Sequence, residues 1–376
     1  MSDGFARVKN VVRHILFAGF IAVIGAGMYG LDKLYTAVHQ TLVLPEHSRT
    51  FLVAKGDTLT RVVYSLANEG VIKEPQWLLR YARLQEQHGI RAGEYEIDDT
   101  LTGKGLLQRL ASGRVLQYQV TFIEGSKLSD VMAILASQQK LINDVKDMDP
   151  VAYQKFFGFT PQQAEGWIFP DTYSYVTGMK LSDVLLQAHH RMRAILDEEW
   201  QKRDKNLPYQ NPYEALIMAS IIEKETGHAP ERSQIAGVFV RRLQKGMRLQ
   251  TDPTVVYGLG DNFTGNLKKS HLMQPTPYNT YVIEGLPPTP ICLPGRESIH
   301  AALHPASGNA LFFVAKGDGT QFFSDNLAQH EQAVEEYQIR RKDGYRSAPP
   351  PKDAAPASAA ALPAATATNP DIQASP

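Results

Sequence analysis

A single cysteine, Cys292, is all that this 376-residue chain contains. That excludes an intrachain disulfide, a cysteine-built zinc cluster and a dithiol redox centre. No His-Glu-x-x-His or comparable spacing occurs. The adjacent His189 and His190 would diverge by about 100° around a helix, so the sequence assigns no metal. Charge of one sign is lacking too: 39 basic residues stand against 39 acidic ones, which leaves no footprint for nucleic acid or a strongly anionic partner. Large apolar residues and charges both thin out after Ser347. A stretch of Ala, Pro, Ser and Thr cannot bury enough surface to fold, so residues 347–376 are expected to be a disordered tail. The length fits two or three structural units, and cores of that size need no disulfide staples.

Long apolar runs are absent with one exception, Ile15 to Leu31, which is preceded by Arg7, Lys9, Arg13 and His14. This run is at the short end of bilayer-spanning length, and Val11 and Val12 can extend it. The basic flank predicts a cytoplasmic N-terminus over residues 1–14, a transmembrane helix over 15–31, and everything after Asp32 on the outer side. Small residues at Gly25, Ala26 and Gly27 suit a cleaved signal peptide, but the run exceeds a usual signal core, which favours a retained anchor. Gly25-Ala26-Gly27-Met28-Tyr29-Gly30 also matches the glycine pattern of dinucleotide-binding folds, with Glu46 near the place of a ribose-binding acid. A nicotinamide or flavin oxidoreductase is therefore a remote alternative. Against it, the run is far longer than one strand and no further strand–helix–strand units follow.

Residues 32–49 read as a stalk. Thr50 to Ala54 reads as a strand, and Asp57 or Thr58 can cap a helix with apolar positions Leu59, Val62, Val63 and Leu66. Helices are expected over about 76–87 and 102–111, with Gly93 to Ile97 as a returning strand between them. The first pattern recurs downstream, where Gly125, Leu128, Val131 and Leu135 repeat the spacing of Gly56, Leu59, Val62 and Leu66. This is a repeated strand–turn–helix device. Phe51 to Ile97 resembles the LysM module of glycan-binding proteins. Glu165 to Tyr173 is dense in aromatic residues, Gly and Pro, which suits either sugar stacking or packing on a core. Further helices are expected over 181–200, 232–245 and 298–303, then a hairpin across Gly317-Asp318-Gly319 and a last helix over 326–341. The Pro-rich, aromatic run from Thr276 to Gly295 has the composition of ordered loops that line sites.

The most informative stretch is Leu216 to Thr226, a buried helix ending in two carboxylates, Glu223 and Glu225. Gly227 is placed for a left-handed cap, and Pro230 stops any continuation. At helical spacing Glu225 shares a face with Ile217, Met218, Ile221 and Ile222, while Glu223 points away. A carboxyl beside an apolar stripe, near the negative end of a helix dipole, is harder to ionise than one in water. A general acid at neutral pH needs such a setting. An ordinary core helix with a solvated acidic tip fits the same pattern.

Several motifs occur in order over about residues 50–341: Glu165-Gly166-Trp167 with Pro170-Asp171-Thr172, Ala219 to Thr226, and Gly246 to Thr254. Tyr278-Asn279-Thr280-Tyr281, Gly285-Leu286-Pro287-Pro288 and His304-Pro305-Ala306 complete the series. Together they resemble the endolytic murein transglycosylase (YceG-like) family. The resemblance implies a cell inner-membrane enzyme, held through residues 15–31, with its C-terminal part in the periplasm. It also implies cleavage of the β-1,4 bond between N-acetylmuramic acid and N-acetylglucosamine within peptidoglycan glycan strands, leaving 1,6-anhydro ends. Such an enzyme is a carbon–oxygen lyase without a cofactor, and it terminates nascent strands beside peptidoglycan synthases. Glu225 is implied as the catalytic residue, with Glu223 structural or the alternative catalytic acid. Side-chain chemistry adds Gln250, Asp252, Tyr278 and Asn279 as candidates for binding acetamido groups or stabilising an oxocarbenium-like transition state.

A hydrolytic glycosidase normally needs two carboxylates. A lytic enzyme can use one, because the sugar's own C6 hydroxyl attacks and the same carboxyl first gives and then takes a proton. The fold expected is α+β: a single transmembrane helix, a LysM-like α+β region over 50–139 with the weak internal duplication, and a mixed α/β catalytic domain over 140–346 with the catalytic Glu at a helix end. Two other activities stay open on this scaffold. One is a muramidase-type hydrolase with Asp252 as second carboxylate, the other a non-catalytic glycan-binding scaffold.

Overall fold

The computed structural model describes residues 2–42, 49–87, 89–98, 100–146, 150–158 and 163–340; Glu46 and the tail expected over 347–376 lie outside them. The chain divides into two compact units, Met1–Lys202 with Thr289–Arg296, and Arg203–Pro288 with Glu297–Pro376.

The first unit begins with α1 (Ser2–His39), one continuous helix. Its segment Val12–His39 is long and apolar enough to cross a membrane. Gly25, Gly27 and Gly30 lie inside this helix. Their N–H groups are taken up by helical hydrogen bonds, so no turn is left to cradle a pyrophosphate. That overturns the dinucleotide reading. Residues 32–39, expected as stalk, continue the helix because Ala37 and Val38 are buried.

Next come β1 (Thr50–Val53), α2 (Leu59–Asn68), α3 (Pro75–Leu84) and β2 (Gly93–Glu96), with β1 and β2 antiparallel and Phe51 opposite Tyr95. Thr58 Oγ1 accepts from the Arg61 N–H at 3.2 Å and so caps α2. With α4 (Gly103–Ser112) these elements close on one core that contains Val63, Leu66, Leu78, Tyr95, Leu106 and Leu110. β3 (Tyr118–Thr121) and α5 (Leu128–Ala136) repeat the strand–turn–helix step. Gly56 and Gly125 take the same turn role with φ of 93° and 77°, a region glycine enters without steric cost.

The second copy finds its partner strand much later. Beyond α6 (Pro150–Phe157), β3 pairs with β4 (Thr172–Tyr175), and α7 (Leu181–Lys202) lays Leu181, Val184, Leu185 and Ala188 on a core with Val120, Phe122 and Leu135. A boundary at 139/140 would cut this sheet in two. The aromatic segment packs inward as well: Ile168, Phe169 and Tyr173 are buried, and the Tyr173 hydroxyl donates to Phe169 O at 2.8 Å. It is core, not an open stacking platform. Leu293 completes this core from the 289–296 strap, donating to Ser126 O at 2.8 Å and accepting from the Gly125 N–H at 2.9 Å.

Glu94 ties the two cores of this unit together. Its carboxylate accepts from Thr50 (2.8 Å), Tyr118 (2.9 Å), Lys140 (2.8 Å) and Thr177 (2.7 Å). Burial alone would raise its pKa, but these donors, led by Lys140, hold it down at about 2.

The second unit is mainly helical: α8 (Pro212–Glu225), α9 (Arg232–Gln244), α10 (Asp252–Leu259), α11 (Lys269–Met273) and α12 (Arg296–Leu303) precede a hairpin of β5 (Phe312–Ala315) and β6 (Gln321–Ser324). α13 (Leu327–Val334) follows and ends in a π-helical turn over Glu335–Ile339. Among the described residues the β5–β6 hairpin is its one sheet. Helix α10 accommodates Pro253 in its first turn, where no intrahelical N–H is needed.

Candidate active site

Helix α8 starts on a cap that the sequence supplies: Asn211 Oδ1 accepts from Glu214 N at 3.1 Å, Glu214 Oε2 accepts from Gln210 N at 2.8 Å, and Pro212 follows the cap. From Ala215 to Ile222 every residue is buried, so the helix is enclosed on all sides and only its last turn reaches polar groups. The C-terminal end differs from expectation. Thr226, not Gly227, closes the helix, and it does so in an extended conformation (φ −147°, ψ 133°). Gly227 is not among the glycines with positive φ. The chain thus leaves straight from Glu225, with no left-handed reversal.

The two carboxylates part company as the helix faces require. Glu223 has a nearly buried side chain, accepts from Ser298 Oγ at 2.6 Å, and lies 3.7 Å from Arg232 Nη2. Arg232 is also paired with Glu297. Glu223 is held within a salt-bridge cluster. Glu225 instead faces a cavity of about 580 Å³ whose lining includes Arg242, Gln250, Asp252, Tyr281 and Phe312. Burial pushes its pKa up to about 7; the Thr251 hydroxyl opposes the shift, the nearby Asp252 charge adds to it, and Arg242 opposes it weakly.

Thr251 donates to Glu225 Oε1, and its own position is fixed by two other threonines. Its N–H donates to Thr280 Oγ1 at 3.0 Å, and Thr254 Oγ1 donates to its carbonyl at 2.8 Å. With one carboxyl oxygen held, the other is left for the cavity. Gln250 precedes Thr251 with φ of 51°, an uncommon value for a residue with a Cβ. Asp252 accepts from the Tyr281 hydroxyl at 2.6 Å. The Arg242 guanidinium donates to the carbonyls of Leu311 (2.7 Å) and Leu249 (2.8 Å) and lies 5.0 Å from the Phe312 ring centre. On the far wall His330 stacks on Phe312 at 5.1 Å.

The structure therefore brings together Glu225, Gln250 and Asp252. Glu223, Tyr278 and Asn279 are not among the residues lining the cavity. Tyr278 meets the Tyr257 ring at 4.9 Å. Asn279 is fully buried, with its amide donating to the carbonyls of His271 (3.2 Å), Leu272 (3.1 Å) and Gln274 (2.7 Å). Arg242, Thr251, Tyr281 and His330 are additions that sequence reasoning did not single out. Thr251 and Tyr281 stand inside motifs already noticed, whereas nothing around Arg242 or His330 marks them.

The YceG-like family matches residues 51–336 of the chain. An endolytic murein transglycosylase of Bacillus subtilis (strain 168) is 31% identical over 303 residues, an alignment covering 76% of this chain and 83% of that protein. One from Streptococcus pneumoniae serotype 2 (strain D39 / NCTC 7466) is 25% identical over 384 residues, covering 88% of this chain and 66% of that one. A crystal structure of a yceG-like protein from Listeria monocytogenes is 27% identical and covers 75% of this chain and 98% of its own, with a TM-score of 0.49.

Proposed function

This chain belongs to the YceG-like family, and we propose on that premise that it is a peptidoglycan lytic transglycosylase anchored in the inner membrane by α1. The substrate is the glycan strand, cut within its length at the muramyl β-1,4 bond. The observation that carries this reading is Glu225: one carboxyl facing a cavity, pKa raised to about 7, with a hydroxyl fixing one of its oxygens.

In the first step the protonated Glu225 gives its proton to the departing glycosidic oxygen as the C1–O bond breaks. Positive charge then develops at the anomeric carbon and ring oxygen. Asp252, oriented by the Tyr281 hydroxyl, faces that charge across the cavity. In the second step the C6 hydroxyl of the same sugar closes onto C1, and the Glu225 carboxylate takes its proton. The acid is restored and no water is consumed. Gln250 supplies an amide for an acetamido group.

The β1-α2-α3-β2 arrangement supports a LysM-like role for the first part of the chain. A shallow pocket of about 190 Å³ lies between the start of α2 (Thr58, Leu59, Thr60) and α3 (Leu79, Ala82, Arg83), and it would hold the strand while the second unit cuts. The basic residues Arg7, Lys9 and Arg13, ahead of the apolar run within α1, support a cytoplasmic N-terminus and a periplasmic location for the chain after Asp32. Strand termination would place the enzyme beside peptidoglycan synthases.

Because Asp252 lines the same cavity as Glu225, hydrolysis by a two-carboxylate route is the competing chemistry. Mass spectrometry of glycan strands digested by the full chain in detergent separates the two. Anhydro ends are expected; products heavier by one water, with reducing ends, would establish hydrolysis instead. Glu225→Gln should lose cleavage by at least about a hundredfold, while Glu223→Gln should keep anhydro products. Unchanged cleavage by Glu225→Gln would remove the central assignment.

A further inference from the structure

We propose that the last two turns of α3, from Trp77 to Leu84, lie in the headgroup layer of the membrane and brace the first unit against it. This rests on the reading of α1 as a membrane-spanning helix. Two contacts join the helices: Lys33 Nζ pairs with Glu74 Oε1 at 2.5 Å, and one turn nearer the apolar run Gly30 lies against Trp77. A Cβ on Gly30 would come 3.2 Å from that ring, whereas at Gly27 and Gly25 it would meet nothing within 4 Å. Leu78, the next residue, shares a core with Ala37 two turns further along α1, and a Cβ on Gly103 would meet both. Helix α3 therefore crosses α1 at the edge of the lipid-facing stretch and does not run down it.

The depth of that crossing follows from helix geometry. From Val12 to Gly30, α1 rises about 27 Å at 1.5 Å per residue, close to the ~30 Å of a bilayer's hydrocarbon core. Trp77 therefore stands at the end of the apolar span, where indole rings favour the interface. Trp77, Tyr81 and Leu84, at offsets of four and seven, share one stripe of α3, and Leu84 is 72% exposed. The opposite face, with Leu78, Leu79 and Ala82, is buried. Arg80 and Arg83 are exposed, and the Arg80 guanidinium lies 4.3 Å from the Trp77 ring centre. Trp77 and Tyr81 are half-buried, each resting partly on the unit's core. Leu84 and the outer edges of these rings, flanked by guanidinium groups, match an anionic headgroup layer, the apolar edge entering the acyl boundary while the charges stay with the phosphates.

The test uses the full chain reconstituted in vesicles of phosphatidylethanolamine and phosphatidylglycerol. A nitroxide is placed at Leu84→Cys, at Phe20→Cys within α1, or at Lys205→Cys on an exposed polar position; the buried Cys292 is not labelled in the folded protein. Relaxation by oxygen is then compared with relaxation by a water-soluble nickel chelate. The oxygen-to-nickel ratio at position 84 should be several-fold above that at 205 and below that at 20. It should fall toward the value at 205 when Arg80→Glu is added. A ratio at 84 equal to that at 205, with 20 still lipid-like, overturns the headgroup contact and leaves the anchor intact. A water-like value at 20 removes the anchor itself, and the proposal with it.

Discussion

Glu225 carries a pH-dependent cost. Folding moves its pKa from about 4.5 to about 7. Between those values the folded chain holds a proton that the unfolded chain has lost. Stability therefore declines as pH rises through that window and stays lower above it. Glu225→Gln removes the decline, so the variant's Tm should exceed the wild type's above pH 7, with the gap closing toward pH 4.5. Thermal melts of both across pH check this, and a gap independent of pH would contradict it. Thr251 works in the other direction. Its hydroxyl favours the ionised carboxylate, so Thr251→Val should raise the Glu225 pKa further and shift the alkaline limb of the rate profile to higher pH. The variant should also lose about tenfold in kcat, the scale of one hydrogen bond to a charged group. A pH–rate profile with an unmoved limb would detach Thr251 from the ionising group. Glu225 was legible in the sequence because its neighbours at three, four, seven and eight positions are apolar. Thr251 and Arg242 were not, since their roles depend on which oxygen another part of the chain presents to them. Asn279 shows the converse: an amide with the right chemistry for a sugar is consumed by the carbonyls of its own loop.

Among elements, α2 was readable from its cap, whereas α8 was read only from Leu216 on and the cap that starts it went unread. Helices α2, α4 and α8 begin on Thr58, Thr102 and Asn211, each of which accepts a backbone N–H. Strand pairing was less visible. β1 and β3 begin alike, yet β1 pairs within the next helical pair and β3 reaches past α6, a choice set by which core is left open. The turn into α10 is where backbone cost and function meet. Gln250 holds φ of 51° while its side chain lines the cavity. Gln250→Gly should stabilise the fold by up to about 1 kcal/mol by relieving that conformation and should lower kcat/KM by removing the amide. Urea unfolding beside strand-cleavage kinetics reads both. Loss of stability together with activity would mean that the side chain's contacts outweigh the strain.

At the scale of the whole molecule, the first unit depends on one carboxylate shared by two cores. Glu94 keeps a pKa of about 2 where about 4.5 is usual, so its contribution is complete above pH 4.5 and is lost as pH falls toward 2. Glu94→Gln should destabilise the protein near neutral pH by about 2–3 kcal/mol, and the difference from wild type should vanish in acid. Urea titrations at both ends of that range measure it, and a difference that persists in acid would point to packing. The strap of residues 289–296 has another consequence. Because Leu293 fills the core beside Val120 and Phe122, the first unit cannot finish folding when its own first 202 residues have been made. Synthesis must run on through the helices of the second unit before the missing leucine arrives. Until then an apolar hole stays open in the nascent chain. Maturation of this protein is therefore not a domain-by-domain march from the ribosome, and a fragment ended at Lys202 would carry a permanent vacancy.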